Sequence, residues 1–494
     1  MKTRLMTTGV GMTTVTRVLK TALVLGLAAS LASCASARRM LPFGLGQDNT
    51  PQATASEGQR VSILAFEQQL APAAGLAGRD FFLPGPVAAN AWPLPGGNAE
   101  SSIEHVIAAP NFTIGWRRRI GEGSARTRQI MAPVVADAGK IFVMDGESTV
   151  TAVDAGTGNV VWKVDVKPTG REASGGVSAF GLPVPFVSEG GGSLSGGFGG
   201  GVAVGGGKVF VSSGYRTMTA LDAATGAVVW TQPVDVPIHG APTVAGNRVY
   251  VVDVDNQIIA FNTTTGLQDW SYRGIVEPAR VLRASSPAVS GDTVIAPFSS
   301  GEIVALRATN GQPVWNQVLS RTSRTSALSE IRDIAGRPVI SRGFVYAVSH
   351  SGVLQAMDIR TGQPKWTLPV AGVNAPLPAG DVVYVVSKSG ELTLINRDSG
   401  AVYWTHDLNE GRVRQEGGFL GFFDRTVRPE WSGPILASNR LVLVNSDGEA
   451  VAFDPKTGAL QQTLNLGAPV YIAPAAYNGA LLVLTNNGEL ISIR

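Results

Sequence analysis

The chain repeats one short motif seven times: a Thr, Ser or Asn precedes a Gly, and in six copies a Trp follows that Gly by four positions. Successive motif glycines lie 38 to 68 residues apart. A repeat of about 40 residues with strand-like content predicts an array of four-stranded propeller blades. The seven motifs are Thr157-Gly158…Trp162, Thr225-Gly226…Trp230, Thr265-Gly266…Trp270, Asn310-Gly311…Trp315, Thr361-Gly362…Trp366, Ser399-Gly400…Trp404 and Thr457-Gly458…Gln462.

The residues between the motifs supply the strands of each blade. Around Trp270 the chain reads as an inner strand at 242–244, two β-branched and aromatic runs at 248–252 and 258–262, and an outer strand at 268–270. The 60 glycines and the 16% of charged residues suit short strands joined by tight turns better than helices. The same order recurs at about 131–166, 199–236, 285–320, 337–371, 374–409 and 432–467.

Polar residues four positions before the motif Gly are predicted to shape the turn. An Asx side chain there can accept bonds from the turn backbone while the Gly supplies positive φ, so turn architecture is favoured over catalysis. The Trp side chains are predicted to be core between neighbouring blades. Only Arg307 departs from the Asx rule, which holds for Asp154, Asp222, Asn262, Asp358, Asn396 and Asp454.

The last repeat is incomplete, and this predicts how the ring closes. Three strands at 469–472, 480–484 and 489–493 end the chain, so an outer strand is missing. The segment 111–117 contains Trp116 without a preceding Thr-Gly, and we expect it to supply that strand. The predicted fold is therefore an all-β, eight-bladed propeller of four-stranded antiparallel blades over residues 111–494. A seven-bladed ring with unattached termini is the alternative.

The N-terminus has the order of a secretion signal. Basic residues precede the apolar run 21–32, and the last two residues of this run begin the sequence Leu31-Ala32-Ser33-Cys34. This sequence resembles a bacterial lipobox, and Cys34 is the only cysteine; an ordinary cleaved signal is the alternative. The segments predicted from this are a signal peptide at 1–33, with lipidation at Cys34, a tether at 34–60, and an extension at 61–110 with a short helix within 61–76 and a Pro-rich stretch.

Several kinds of site are disfavoured by composition and spacing. The net charge of +3 includes four basic residues before Cys34, so the remainder carries 3 − 4 = −1 and gives no electrostatic case for nucleic acid. The four histidines share no metal-ligand spacing, and no Gly-x-Ser-x-Gly nucleophile motif occurs. Insertions at 170–200, 321–336 and 410–431 interrupt the repeat; the first is Gly-rich but lacks the Lys-Ser/Thr of a phosphate loop.

The repeats resemble two families of eight-bladed proteins. One comprises quinone-dependent alcohol dehydrogenases, but their vicinal cysteine pair and Cys-x-x-Cys-His haem site are missing here. The closer resemblance is to the BamB family of outer-membrane lipoproteins, through the lipobox, the cysteine-free body and nearly the whole of 111–494. The segment 62–68 before the propeller, together with Trp92…Gly96-Gly97-Asn98, is similar to the α-proteobacterial version of that family.

The BamB resemblance implies a non-enzymatic scaffold without cofactor or metal, anchored by lipid at the periplasmic face of the outer membrane. It implies binding to the periplasmic region of the barrel subunit BamA and assistance to unfolded outer-membrane proteins. Partner-binding residues carry over onto Leu282 and Arg283 before blade four and Asp333 before blade five, whereas the family's second acidic position falls on Ala335. Since interblade loops share one face, these residues are expected to lie together. A periplasmic quinone-dependent oxidoreductase is the alternative, and a ligand-binding propeller such as a lectin is a third reading.

Overall fold

Eight sheets, each with four antiparallel strands, form the body of the protein in a computed structural model, which confirms the predicted eight-bladed propeller; two short parallel strands extend one of these sheets to six. The structure describes residues 70–76, 78–125, 128–168, 199–277, 285–320, 331–416 and 425–494. These ranges hold no helix that is long and apolar enough to cross a membrane. We number the blades one to eight from residue 135 onward and name the four strands of each from inner to outer.

The blades are built from consecutive hairpins, except the last. From inner to outer, the strands are Val135–Asp137, Lys140–Met144, Thr149–Asp154 and Val160–Asp165 in blade one; Gly200–Gly205, Lys208–Ser213, Thr217–Asp222 and Val228–Pro233 in blade two; Thr243–Ala245, Arg248–Val252, Gln257–Asn262 and Gln268–Arg273 in blade three; and Ala288–Ser290, Thr293–Pro297, Glu302–Arg307 and Pro313–Val318 in blade four.

The second half of the ring continues in the same way. The strands are Val339–Ser341, Phe344–Val348, Leu354–Asp358 and Pro364–Leu368 in blade five; Leu377–Ala379, Val382–Val386, Glu391–Asn396 and Val402–Asp407 in blade six; Trp431–Ala437, Arg440–Asn445, Glu449–Phe453 and Leu460–Asn465 in blade seven; and Ala475–Tyr477, Ala480–Leu484, Glu489–Ile493 and Ile114–Arg119 in blade eight. Outside the blades lie the short strands Val87–Ala88, Val106–Ile107, Arg414–Glu416 and Arg425–Val427.

The Trp of each motif joins its blade to the next one. The Trp230 ring lies against Gly266 of blade three, and its Nε1 donates to the Thr263 carbonyl at 3.3 Å. Gly266 has φ +73°, and a Cβ there would lie 2.6 Å from the indole, so both the turn and the packing require Gly. Asn262 Oδ1 accepts from the backbone N–H of Thr265. The predicted roles of the Asx, Gly and Trp positions are thus confirmed.

Blade eight is closed by the N-terminal strand. Ile114–Arg119 pairs antiparallel with Glu489–Ile493, with Arg117 opposite Ile491, as the incomplete last repeat predicted. The Thr-Gly turn is therefore missing from blade eight, and a Trp at the end of blade seven would have no turn Gly to pack on. Gln462 stands there instead and donates from Nε2 to the Phe112 carbonyl. The one irregular motif thus marks the seam of the ring.

A feature that the sequence did not predict is the path of residues 78–113, which we call the strap. The Pro-rich stretch crosses the face of the ring that carries the Thr-Gly turns, which we call the turn face. Its backbone or side chains bond to seven of the eight blades in the described ranges. The backbone pairs are Trp92–Ala136, Pro93–Val204, Ala99–Val289, Glu100–Ile340, Phe82–Asp381, Val106–Ser438 and Ala109–Gly479.

Glu104 fixes the strap to blades five and six. Its Oε1 accepts from Arg397 Nη1 and its Oε2 from Arg342 Nη2, each at 3.2 Å, and Oε2 also accepts from the Gly380 N–H at 3.0 Å. Arg397 is nearly buried and further donates to the hydroxyl of Tyr346. The strap is therefore held by a partly buried polar network as well as by backbone pairing.

The start of the described chain covers the outer edge of blade six. Ala73 N–H donates to the Val402 carbonyl, and the ring of Phe81 lies 5.1 Å from that of Tyr403. Val402 and Tyr403 are consequently buried, whereas Val228 at the corresponding edge of blade two is 59% exposed. Residues 70–76 contain a turn and no helix, and the short helix predicted within 61–76, at 61–70, lies outside the described residues except for Leu70.

Candidate docking site

The face opposite the strap carries the interblade loops, and we call it the loop face; Asp333 lies on it. Cys34, Leu282 and Arg283 lie outside the described residues. Asp333 is described, and the stems of both predicted loops are described as well. The geometry of those stems therefore carries the description of the site.

The turn 298–302 of blade four lies between the two predicted loops and bonds to both. On one side, the backbone N–H of Ile275 donates to Glu302 Oε2 at 2.7 Å. On the other side, the N–H of Ile334 donates to the Phe298 carbonyl at 3.3 Å. A Cβ on Gly301 would lie 3.1 Å from the Cβ of Arg332, so the second loop passes directly over this turn. The structure thus brings the two loop stems together.

The stem of the first loop is fixed by side chains from two blades. Gly274 N–H donates to the Asn256 carbonyl, and Asn256 Nδ2 donates to the Ile275 carbonyl. Asn256 Oδ1 accepts from the N–H and hydroxyl of Ser299. The carboxylate of Glu302 is buried and also accepts from Asn316 Nδ2 at 2.9 Å. Both polar backbone atoms of Ile275 are therefore bound to neighbouring blades.

Asp333 lies in the second stem with its side chain buried, 4% exposed. Its main-chain carbonyl accepts from the N–H of His350 at 2.8 Å. His350 Nε2 in turn lies 2.9 Å from Lys388 Nζ. Burial, and then the charge of Lys388, lowers the pKa of His350, so its ring is neutral near pH 7 and can accept from the ammonium group. The second stem is thereby connected to blades five and six.

Blade four breaks a rule that most other blades obey at this turn. In six blades, a polar side chain at the first turn position accepts from the N–H four residues later; these residues are Asp145, Asp253, Ser349, Ser387, Asn445 and Thr485. Blade four has Phe298 there, which stacks near Tyr272 and packs on Gly274. The hydroxyl of Ser300 accepts from the Glu302 N–H instead, at 3.4 Å, and the side chain of Glu302 binds the interblade loop. A comparison of the turns of the repeats could have identified both residues.

The central channel is where the alternative function would require a site for quinone and calcium. The inner strands and the strap residues Trp92, Gly96, Ser101 and Ile103 enclose a cavity of about 110 Å³, below the roughly 300–1,000 Å³ usual for small-molecule sites. Of its described lining residues, none is a carboxylate, the side chain that calcium prefers. Across the described ranges, three or more His, Cys, Asp or Glu nowhere form a metal-binding cluster. These residues do not fit a quinone–calcium centre.

The chain is similar to proteins described as BamB. The outer membrane protein assembly factor BamB of Yersinia pestis is 26% identical over 363 residues, which cover 68% of this chain and 88% of that protein. The crystal structure of BamB from Moraxella catarrhalis matches with a TM-score of 0.61 at 18% identity, covering 77% of this chain and 98% of that chain.

A quinoprotein shares the fold as well. The quinohemoprotein alcohol dehydrogenase of Comamonas testosteroni matches with a TM-score of 0.59 at 15% identity, over 82% of this chain and 81% of that one. At such identity the likeness concerns the fold alone. The family model described as outer membrane protein assembly factor BamB matches residues 101–191 and 146–406, which is more than half of the sequence. The chain therefore belongs to the BamB family.

Proposed function

We propose that this protein is a non-enzymatic scaffold of the outer-membrane β-barrel assembly machinery. It is anchored by lipid on Cys34 at the periplasmic face of the outer membrane, binds the periplasmic region of the barrel subunit BamA through its loop face, and assists insertion of outer-membrane proteins. Membership of the BamB family supports the assembly role. The lipobox sequence supports the anchor.

The observation that carries the docking proposal is the shared turn of blade four. The loop with Leu282 and Arg283 and the loop with Asp333 are far apart in sequence, yet their stems bond to opposite ends of the same turn, at Glu302 and Phe298. A folded partner can therefore contact both loops at once. Convergent loops on a rigid support are a common way to build a recognition surface.

Asp333 is assigned a supporting role within this surface. Its carboxylate is buried, so it is poorly placed to meet a partner directly. We assign direct contact to Leu282 and Arg283, an apolar anchor beside a directional donor, and assign to Asp333 the shape of the neighbouring loop. The non-enzymatic assignment is supported by the narrow channel without carboxylates among its described lining residues.

The test uses full-length protein in solubilised envelopes, with co-purification of the barrel subunit as the readout. Leu282→Ala with Arg283→Ala is expected to abolish recovery of that subunit while the melting temperature stays unchanged. The matched control is Leu267→Ala with Arg360→Ala, since both residues are exposed near the Thr-Gly turns on the opposite face. Unchanged recovery in the first variant, or equal loss in both, would remove the docking assignment. Saturable quinone binding with calcium-dependent alcohol oxidation would overturn the non-enzymatic assignment.

A further inference from the structure

Ile275 and Val276 expose apolar side chains at a point where the backbone of Ile275 is fixed. The two residues lie at the start of the blade three–four loop, with 63% and 56% of their surface exposed. Scattered apolar residues on a surface need no explanation. Here, however, the N–H of Ile275 is bound to Glu302 and its carbonyl to Asn256, so Ile275 is held in one orientation and Val276 follows directly from it.

Glu302 is more buried than the other polar residues that begin the third strand of a blade. Its carboxylate is buried at 4% exposure and accepts from three neutral donors: the Ile275 N–H, the Ser300 hydroxyl and the Asn316 amide. Placing an ionised group in such a site is costly unless hydrogen bonds compensate it. A buried carboxylate at this position is explained if the protein needs the backbone of Ile275 in a fixed orientation.

We propose that Ile275 and Val276 are an apolar contact of the docking site and that Glu302 is the positioning residue that presents them. This inference rests on the proposed docking function. The occupant is an apolar strip on a folded periplasmic domain of the barrel subunit. A contact whose backbone is already ordered loses less entropy on binding, which raises affinity.

The same hydrogen bonds select the kind of partner. An extended peptide that adds to a strand edge needs free backbone N–H and C=O groups. At Ile275 both groups are already used by Glu302 and Asn256. Recognition at this point therefore occurs through side chains, as between two folded surfaces. In sequence, Leu282 lies six residues after Val276 and belongs to the same interblade loop.

The experiment measures binding of the purified full chain to the purified periplasmic domains of the barrel subunit by biolayer interferometry. Ile275→Ser with Val276→Ser is expected to raise Kd at least about tenfold, since apolar anchors at interface centres carry much of the affinity. Val228→Ser with Val229→Ser is the control, because these residues are similarly exposed on the outer strand of blade two. We expect less than about twofold change there.

Glu302 is tested with a readout that a general loss of stability would not reproduce. In Glu302→Ala, amide hydrogen exchange at Ile275 should accelerate and Kd should rise, while exchange at Ile259 in the middle of blade three stays slow. Glu302→Gln retains a carbonyl oxygen and is expected to recover part of both effects. Binding that remains normal despite fast exchange at Ile275 would refute the positioning role.

The outcomes separate this inference from the docking function itself. If the Leu282/Arg283 variant loses binding but the Ile275/Val276 variant does not, the docking function stands and this contact is wrong. If the unmodified protein does not bind the domains at all, the proposed function fails first. Equal weakening by the Val228/Val229 control would show a general effect of lost apolar surface and would also overturn the contact.

Discussion

Removal of the Glu104 carboxylate should loosen the strap from the ring. Its side chain is 20% exposed and that of Arg397 only 6%, so the pair is largely shielded from water. Deleting one member of such a pair typically costs about 3–5 kcal/mol of unfolding free energy, because the other charge remains buried without its partner.

The structure places the expected cost at the lower end of that range. Without Glu104, Arg397 still donates to the carbonyl of Gly380, the hydroxyl of Ser341 and the hydroxyl of Tyr346. Its guanidinium is therefore partly compensated. We expect Glu104→Ala to lower the free energy of unfolding by about 3 kcal/mol. Asp398→Ala breaks the Lys365–Asp398 pair, which also joins blades five and six but in which Asp398 is 87% exposed, and should cost under about 1 kcal/mol.

Two measurements test this expectation. Urea unfolding followed by Trp fluorescence gives the free-energy difference, and amide hydrogen exchange reports on the strap directly. The amides of Ile340 and Ser438 bond to strap carbonyls and should exchange faster in Glu104→Ala. Replacing both partners together, with Glu104→Leu and Arg397→Met, should recover part of the loss. Equal costs for Glu104→Ala and Asp398→Ala, with unchanged exchange, would refute the view that this pair holds the strap.

Two further predictions concern single positions in blade three. Burial raises the pKa of Asp253 to about 6; because the folded state then binds the proton more tightly than the unfolded state, stability rises as pH falls from about 7 to 4. Blade seven has Asn445 at the same turn position. Asp253→Asn should raise the free energy of unfolding by at most about 3 kcal/mol above pH 7, and this gain should disappear near pH 4. Denaturation experiments at both pH values measure the difference. Gly266→Ala adds a clash with Trp230 to the strain of positive φ and should lower the free energy of unfolding by about 2–5 kcal/mol. Gly246→Ala has the positive φ but meets no neighbour, so it should cost about 1–2 kcal/mol. Equal melting temperatures of the two variants would contradict this.

The ring was predictable because the contacts between blades need residue types that few other amino acids can replace. A turn with positive φ needs Gly, as at Gly266, and the indole of Trp230 needs that bare Gly to pack on. Both requirements recur in most blades, so the repeat could be recognised in the sequence. The closing strand was equally predictable, because Trp116 had no turn of its own and the last blade lacked one strand.

The strap and the site were less predictable for a physical reason. Strap residues such as Pro93 and Ala99 bond through backbone atoms, which leave no signature in side-chain type. The burial of Asp333 likewise depends on how its loop crosses blade four, which sequence spacing does not specify. Leu282 and Arg283 were predicted from family resemblance, and their contact with a partner stays a prediction.

The places where the repeat fails are its most informative positions. Gln462 replaces a Trp at the seam, where no turn Gly awaits an indole. Tyr403 is buried where other outer strands are exposed, because the segment with Ala73 and Phe81 covers that edge. Each of these two exceptions thus has a structural cause specific to its blade. Phe298 and Glu302 form the third exception, and no seam or covering segment accounts for it. What their side chains do is hold an interblade loop with exposed apolar residues, which is the arrangement that a docking surface requires.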